Sequence, residues 1–299
     1  MEIRQLRYFL AVVEEQHFGR AAEKLGIAQP GLSQRIKALE RSLGAQLLIR
    51  DARHVVPTEA GQILAEEARK IVALADRAQQ LPRLVEQGKR VLFKVATGVR
   101  ALHPRAFPIL MEFEQLFGDV KVTLHPGFNE GNLDALRRHL VDVAFLSKPF
   151  ELPPGSRYER VGSVELLVAL SEEHPLASLE RVPRSRLLET PFVTWPSSVS
   201  PDLMTQINRL LFDRDEHPSA IETPDLSQAT RLSMIAQGSG LAGIALPSDT
   251  ELNADGLVYR RLEEPAPLLE YGIVWLMNHI SRLVPAFVEI ARSSAMVDG

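Results

Sequence analysis

Between Pro30 and Leu43, apolar side chains recur at Leu32, Ile36, Leu39 and Leu43, steps that put one stripe on a helix. Off that stripe stand Gln29, Ser33, Gln34, Arg35 and Lys37, residue types that reach base edges and phosphates. Pro30 suits the first turn, where a missing N–H leaves no bond unmade. Upstream, 18–26 reads as a shorter helix with Ala21, Ala22 and Leu25 inward, closed by the turn Gly26-Ile27-Ala28. A helix over 3–16 would pack Leu6, Phe9, Leu10 and Val13 behind the pair. Helix, tight turn and polar-faced helix is the arrangement that enters the major groove of duplex DNA.

Leu47-Leu48-Ile49 and Val55-Val56 read as two short strands, and Thr58 as the N-cap of a long helix with Glu59 near its positive end. Leu64, Ala68, Ile71, Ala75 and Ala78, then Leu81 and Val85, follow a 3.5-residue period, which predicts a pairing seam. Pro82 should kink or end this helix near Leu81, leaving 82–90 as a hinge. From Val91 the texture alternates: strands at 91–96, 120–124 and 143–146, helices at 104–117 and 131–140. A second such unit opens at 163–170 and continues with strands at 192–195, 220–222 and 241–246 and helices at 201–212 and 225–237. Strand 269–276 and helix 281–291 return to the first lobe. This order predicts parallel sheets covered by helices.

Composition narrows the possibilities. A chain of 299 residues allows about two domains, and with 45% apolar and 24% charged residues it is an ordinary globular chain. No stretch approaches ~18 consecutive apolar residues, and the amphipathic start is no secretory h-region, so a cytoplasmic protein without membrane contact is expected. The absence of cysteine removes disulfides, thiolate metal sites and thiol catalysis. The net charge of −4 is unevenly spread: residues 1–61 hold nine Lys/Arg against seven Asp/Glu, the remainder 25 against 31. A local positive footprint suits a module that also reads bases. No G-x-S-x-G, H-E-x-x-H or P-loop is present, the histidines are scattered, and no metal, cofactor or catalytic residue is assigned.

Leu6-Arg7-Tyr8-Phe9, Phe18 with Arg20-Ala21-Ala22, Gln29-Pro30 with Leu32-Ser33, Leu39-Glu40, Leu43-Gly44 and Thr58-Glu59-Ala60-Gly61 together resemble the winged helix-turn-helix of LysR-type transcriptional regulators. Asp134-Ala135-Leu136-Arg137-Arg138 with Asp142-Val143-Ala144, and Glu173-His174-Pro175-Leu176, are similar to phrases of the family's effector domain. The chain departs from the pattern at Ala28, where a capping Ser or Thr worth about 1 kcal/mol is usual, at Gly19, itself an accepted cap, and at the wing tip Asp51-Ala52-Arg53-His54.

The resemblance implies an α/β protein in three parts: a winged helix-turn-helix (1–61), a linker helix with hinge (58–88), and a two-lobed, periplasmic-binding-protein-like (type 2) effector domain (91–299). Lobe 1 would hold about 91–162 and 268–299, lobe 2 about 163–267. Arg20, Gln29, Pro30, Ser33, Gln34, Arg35, Lys37, Arg50, Arg53 and His54 would meet double-stranded promoter DNA. Leu64, Ile71 and Ala78 would pair two chains, and dimers would join into a homotetramer that contacts RNA polymerase. Ligands of open α/β sheets lie beyond strand C-termini, which maps a small-molecule effector site to Thr97, Gly98, Arg100, Asn129, Ser147, Thr194 and Trp195. Arg100, where a short hydroxyl residue is commoner, favours an anionic effector.

Gly238-Ser239-Gly240-Leu241-Ala242-Gly243 matches G-x-G-x-x-G, yet a helix precedes it and a strand follows, the reverse of a dinucleotide site; it reads as a helix stop. The alternatives are a two-lobed solute-binding protein or an enzyme with an appended helical domain. They call for a secretory signal or for acid–base groups at the cleft.

Overall fold

Three helices, α1 (Ile3–Glu15), α2 (Phe18–Lys24) and α3 (Gln29–Leu43), close over Leu6, Phe9, Val12, Ala21, Leu32, Ile36 and Leu39, all fully buried. Leu43 is 40% exposed, so the stripe on α3 ends a turn early. The computed structural model describes residues 1–50, 55–86, 91–98, 103–148, 150–196, 201–212, 217–224, 227–238, 240–251, 255–279 and 281–295 (backbone alone at 50, 83, 84, 201–204, 206 and 251). It divides into one unit built on residues 1–92 and another holding most of 93–299.

In the first unit, α2 is capped by His17 and not by Gly19: the imidazole Nδ1 accepts from the backbone N–H of Gly19 at 3.0 Å and of Arg20 at 3.3 Å. Gly19 makes room for that ring, because a Cβ there would stand 2.9 Å from it. Ala28 occupies the N-cap of α3 with no side-chain bond, and Gly44 ends the helix at φ 67°. Strands β1 (Leu48–Arg50) and β2 (Val55–Pro57) pair antiparallel as the wing.

The long helix α4 runs Glu59–Glu86. Thr58 caps it as expected, its Oγ1 accepting from Gly61 N–H at 3.0 Å while donating to the Gln46 carbonyl at 2.8 Å. A Cβ at Gly61 would overlap the Leu47 carbonyl oxygen, so the first turn of α4 lies directly on the chain entering the wing. An Arg7–Asp76 ion pair adds a tie to α1. Of the two outcomes expected of Pro82, a kink or an end near Leu81, the end is corrected. Pro82 removes one backbone donor, and the helix continues past it to Glu86.

The seam also divides. Ala65 and Ala68 are buried in the first unit's core with Leu64 and Val72 packed against them, so Leu64 serves its own domain. The exposed apolar stripe is Ile71, Leu74, Ala78, Leu81 and Val85, at alternating steps of three and four.

The second unit continues as β3 (Val91–Thr97), α5 (Ala106–Leu116), β4 (Val120–Pro126), α6 (Asn129–Arg137), β5 (Val143–Ser147) and β6 (Ser156–Glu165). Next come β7 (Leu167–Ser171), β8 (Arg181–Val182), α7 (Arg184–Leu188), β9 (Phe192–Thr194), α8 (Pro201–Leu211), β10 (Ala220–Glu222), α9 (Gln228–Gln237), β11 (Ala242–Ala245) and β12 (Leu257–Leu262). The chain closes with β13 (Leu268–Leu276) and α10 (Val284–Ala295). One sheet has the order β4-β3-β5-β13-β6 and the other β10-β9-β11-β7-β12-β8, one per lobe.

The sheets are mixed, which corrects the all-parallel expectation. β3 and β5 are parallel across a helical crossover, whereas β13 runs antiparallel to both β5 and β6, and β7 antiparallel to β11 and β12. A strand that arrives from the other lobe has no helical crossover to turn it parallel. The strand expected over 163–170 is two strands split at Leu166: β6 completes the first sheet to Glu165 and β7 opens the second. Phe93, Phe113, Phe145 and Phe287 fill the first lobe with rings in mutual contact. Val168, Leu170, Leu187, Ile207 and Leu262 centre the second.

Candidate functional site

On α3 the residues assigned to DNA stand outward: Gln29, Pro30, Gln34, Arg35 and Lys37 are exposed and Ser33 half-buried, opposite the buried Leu32 and Ile36. Arg35 lies 5.4 Å from the Tyr8 ring centroid, a cation–π contact that holds it against its own domain. Arg20 donates to the Glu15 carbonyl at 2.5 Å, tying the start of α2 to the end of α1. Arg53, His54 and the Arg50 side chain lie outside the described residues.

In the first lobe, the parallel pairing of β3 and β5 brings their C-terminal residues Thr97 and Ser147 to one sheet edge. Both are buried, at 4% and 2% exposure. His103, 2% exposed, joins them: its Nδ1 is 3.3 Å from Thr97 Oγ1 and its Nε2 3.1 Å from Ser147 Oγ. The imidazole packs near the rings of Tyr271 and Phe145, and burial pulls its pKa down to about 3, so it is neutral. Gly98 closes the same corner, since a Cβ on it would come within 3.4 Å of the Gly127 carbonyl and the His103 ring.

Asn129 is also here, but its amide is committed to the backbone of Ser147, donating to the carbonyl at 2.5 Å and accepting from the N–H at 3.0 Å. In this way it braces the end of β5 next to Ser147. Arg100 lies outside the described residues.

Thr194 and Trp195 belong to the second lobe. Thr194 is buried and its carbonyl accepts from Thr223 N–H at 2.9 Å. Trp195 packs in the second lobe's core, and the guanidinium of Arg231 sits 4.4 Å from its ring centroid. Arg231 is 1% exposed, with Asp249 3.8 Å from its Nη2 and the Gln228 side chain accepting from Nε at 3.3 Å. Burial pulls its pKa down to about 10, which leaves it charged at neutral pH. Gly243 admits this side chain, for a Cβ there would meet Nη1 at 2.9 Å. The G-x-G-x-x-G run ends α9 at Gly238 and enters β11, as its context predicts.

His103 and Arg231 are the residues that sequence reasoning missed. His103 bridges the ends of β3 and β5, and Arg231, on α9, meets Trp195 and Asp249 as well as Gln228 of its own helix. Among the described residues, no group of three His, Asp or Glu is placed to hold a metal ion, and no helix is long and apolar enough to cross a membrane.

Comparison with known proteins covers both units. Residues 3–62 match the family model of the bacterial regulatory helix-turn-helix protein, lysR family, and residues 86–295 match the LysR substrate binding domain. The HTH-type transcriptional regulator XapR of Escherichia coli is 33% identical over 291 residues, 97% of this chain and 96% of its own. BudR of Raoultella terrigena is 31% identical over 295 residues, 97% of this chain and 100% of its own. The crystal structure of full-length BenM, a regulator of Acinetobacter baylyi, superposes with a TM-score of 0.60 at 26% identity, covering 98% of this chain and 96% of that one.

Proposed function

The chain belongs to the LysR family of DNA-binding transcriptional regulators and is not an enzyme; on that footing we propose how it is controlled. A small anionic effector binds between the two lobes, against the hydroxyls of Thr97 and Ser147, with Arg100 taking its acidic group. Two chains pair through the exposed stripe of α4, and dimers assemble into a tetramer on a dyad-symmetric promoter site in the cytoplasm. Gln29, Ser33 and Gln34 read bases, and the flanking cations hold phosphates. Effector binding changes the spacing of the paired DNA-reading heads, and through it promoter bend and contact with RNA polymerase.

The observation that carries the effector reading is the meeting of Thr97 and Ser147 at one sheet edge, two buried hydroxyls on the ends of parallel strands. A thermal-shift screen of the full chain against small carboxylates, aromatics and amino acids tests it, because a ligand of the native state raises Tm with concentration. Compounds found this way should lose their effect on Thr97→Val and Ser147→Ala. Ligands indifferent to both substitutions would place the site elsewhere.

A further inference from the structure

The two hydroxyls at the edge of the first sheet do not act independently, because one imidazole touches both. His103 Nδ1 lies 3.3 Å from Thr97 Oγ1 and Nε2 3.1 Å from Ser147 Oγ. The groups packed around the ring are Phe145 and Ser147 on β5, Thr97 on β3 and Tyr271 on β13, with Arg105 two residues along the chain. No described contact brings a carboxylate to His103, so nothing compensates a buried positive charge and the ring stays neutral.

A neutral imidazole has one N–H and one lone pair. The hydroxyl that receives the N–H keeps its own proton for a ligand. The hydroxyl that gives its proton to the bare nitrogen faces a ligand with lone pairs only. We propose that His103 is thereby a specificity-determining residue of the effector site, making it take a group with one donor and one acceptor, a carboxamide or lactam edge, in preference to a carboxylate. The tautomer decides which hydroxyl plays which part, but in either tautomer the pair stays one donor and one acceptor. A carboxylate would set an oxygen against the second hydroxyl's lone pairs, unless His103 took up a proton so that both hydroxyls could donate. The acidic group assigned to Arg100 is then a separate part of the effector. This inference rests on the reading that the effector meets Thr97 and Ser147.

The test is calorimetric titration of the full chain with matched probes that each keep one free carboxylate for Arg100, succinamate against succinate and 4-carbamoylbenzoate against terephthalate, in two buffers of different ionisation enthalpy. Each amide should bind at least about tenfold more tightly than its acid partner. Any residual binding of the acids should take up a proton. His103→Phe keeps the ring volume and frees both hydroxyls, so it should erase or reverse the preference. Should that variant fail to fold, His103→Gln, neutral and bearing one donor and one acceptor, should retain it. Acids that bind as tightly as the amides without proton uptake would overturn the inference, as would amides that fail to bind at about 10 mM. A probe whose affinity is unchanged by Thr97→Val and Ser147→Ala binds elsewhere, and it overturns the underlying site as well.

Discussion

The guanidinium of Arg231 lies 4.4 Å from the centre of the Trp195 ring while Asp249 stands 3.8 Å from its Nη2, and all three residues are at least nine-tenths buried. Asp249 also accepts from Gln228 Nε2 at 2.7 Å and from Leu246 N–H at 2.9 Å, so the carboxylate orders the turn after β11. Arg231→Ala would strand that buried charge and empty the space beside Trp195. The expected loss is about 3–5 kcal/mol in the denaturant unfolding of the second lobe, and a change below about 1 kcal/mol would show that Arg231 is dispensable there.

His103 gives the first lobe a pH dependence of defined sign. Its pKa falls from 6.5 to about 3 on folding, so the unfolded chain binds a proton that the folded chain refuses. Stability from this group is therefore full above pH 6.5 and declines as pH falls toward 3. Between pH 7 and 5 the decline amounts to about 2 kcal/mol. Burial of His139, with a pKa of about 4, adds a slope of the same sign. The measurement is thus the difference between the wild type and His103→Phe, which should be flatter by that amount across the same window.

Gln29→Ala should cost about 1–3 kcal/mol on the cognate promoter and little on random duplex. Lys37→Ala should weaken binding to both and reduce the salt dependence by about one unit. Fluorescence anisotropy over a salt series separates the two. Equal losses on both duplexes for Gln29→Ala would remove it from the base-reading set.

Ile71 and Ala68 lie one turn apart on α4 and should answer differently to the same substitution. Ile71 is 36% exposed, whereas Ala68 is fully buried in the winged domain. Ile71→Asp should leave the chain folded but dissociate it to a species that binds one half-site weakly. Ala68→Asp should unfold the winged domain itself. Sedimentation and circular dichroism of the two variants check the assignment, and an intact assembly in Ile71→Asp would move the pairing surface.

Arg100→Ala should weaken an acidic effector by roughly ten- to a hundredfold, the loss of one charge-assisted bond of about 1.5–3 kcal/mol. DNA affinity without effector should be unchanged. Normal effector binding by the variant would return Arg100 to the surface.

The helix-turn-helix was legible because its period, its Gly44 stop and its polar face lie within one continuous stretch. Thr58 as a cap was legible for the same reason. His17 was not, because histidine is not among the usual caps, and its ring here takes up the space that Gly19 leaves. The run through β6 and β7 misled because Val164, Leu166 and Val168 are apolar throughout, and the pattern does not mark the change of sheet at Leu166. β12 hid among Tyr259, Arg260 and Arg261, whose long side chains obscure the buried Leu257 and Leu262. In the candidate site, Thr97, Gly98 and Ser147 followed from their place at strand ends. His103 and Arg231 needed partners 44 and 18 residues away, to Ser147 and Asp249, which no local window contains.

The overlap that any side chain at Gly61 would make with the Leu47 carbonyl joins α4 to the wing without slack. In mechanical terms, helix and reading head are one lever, 28 residues or about 42 Å long. In a paired assembly, a change of about 5° in the angle between two such levers shifts their tips relative to one another by about 4 Å, close to the rise of one base pair. A rotation too small to disturb any packed core is then enough to move the paired reading heads by one step along the duplex, and the glycine at position 61 keeps that gearing stiff.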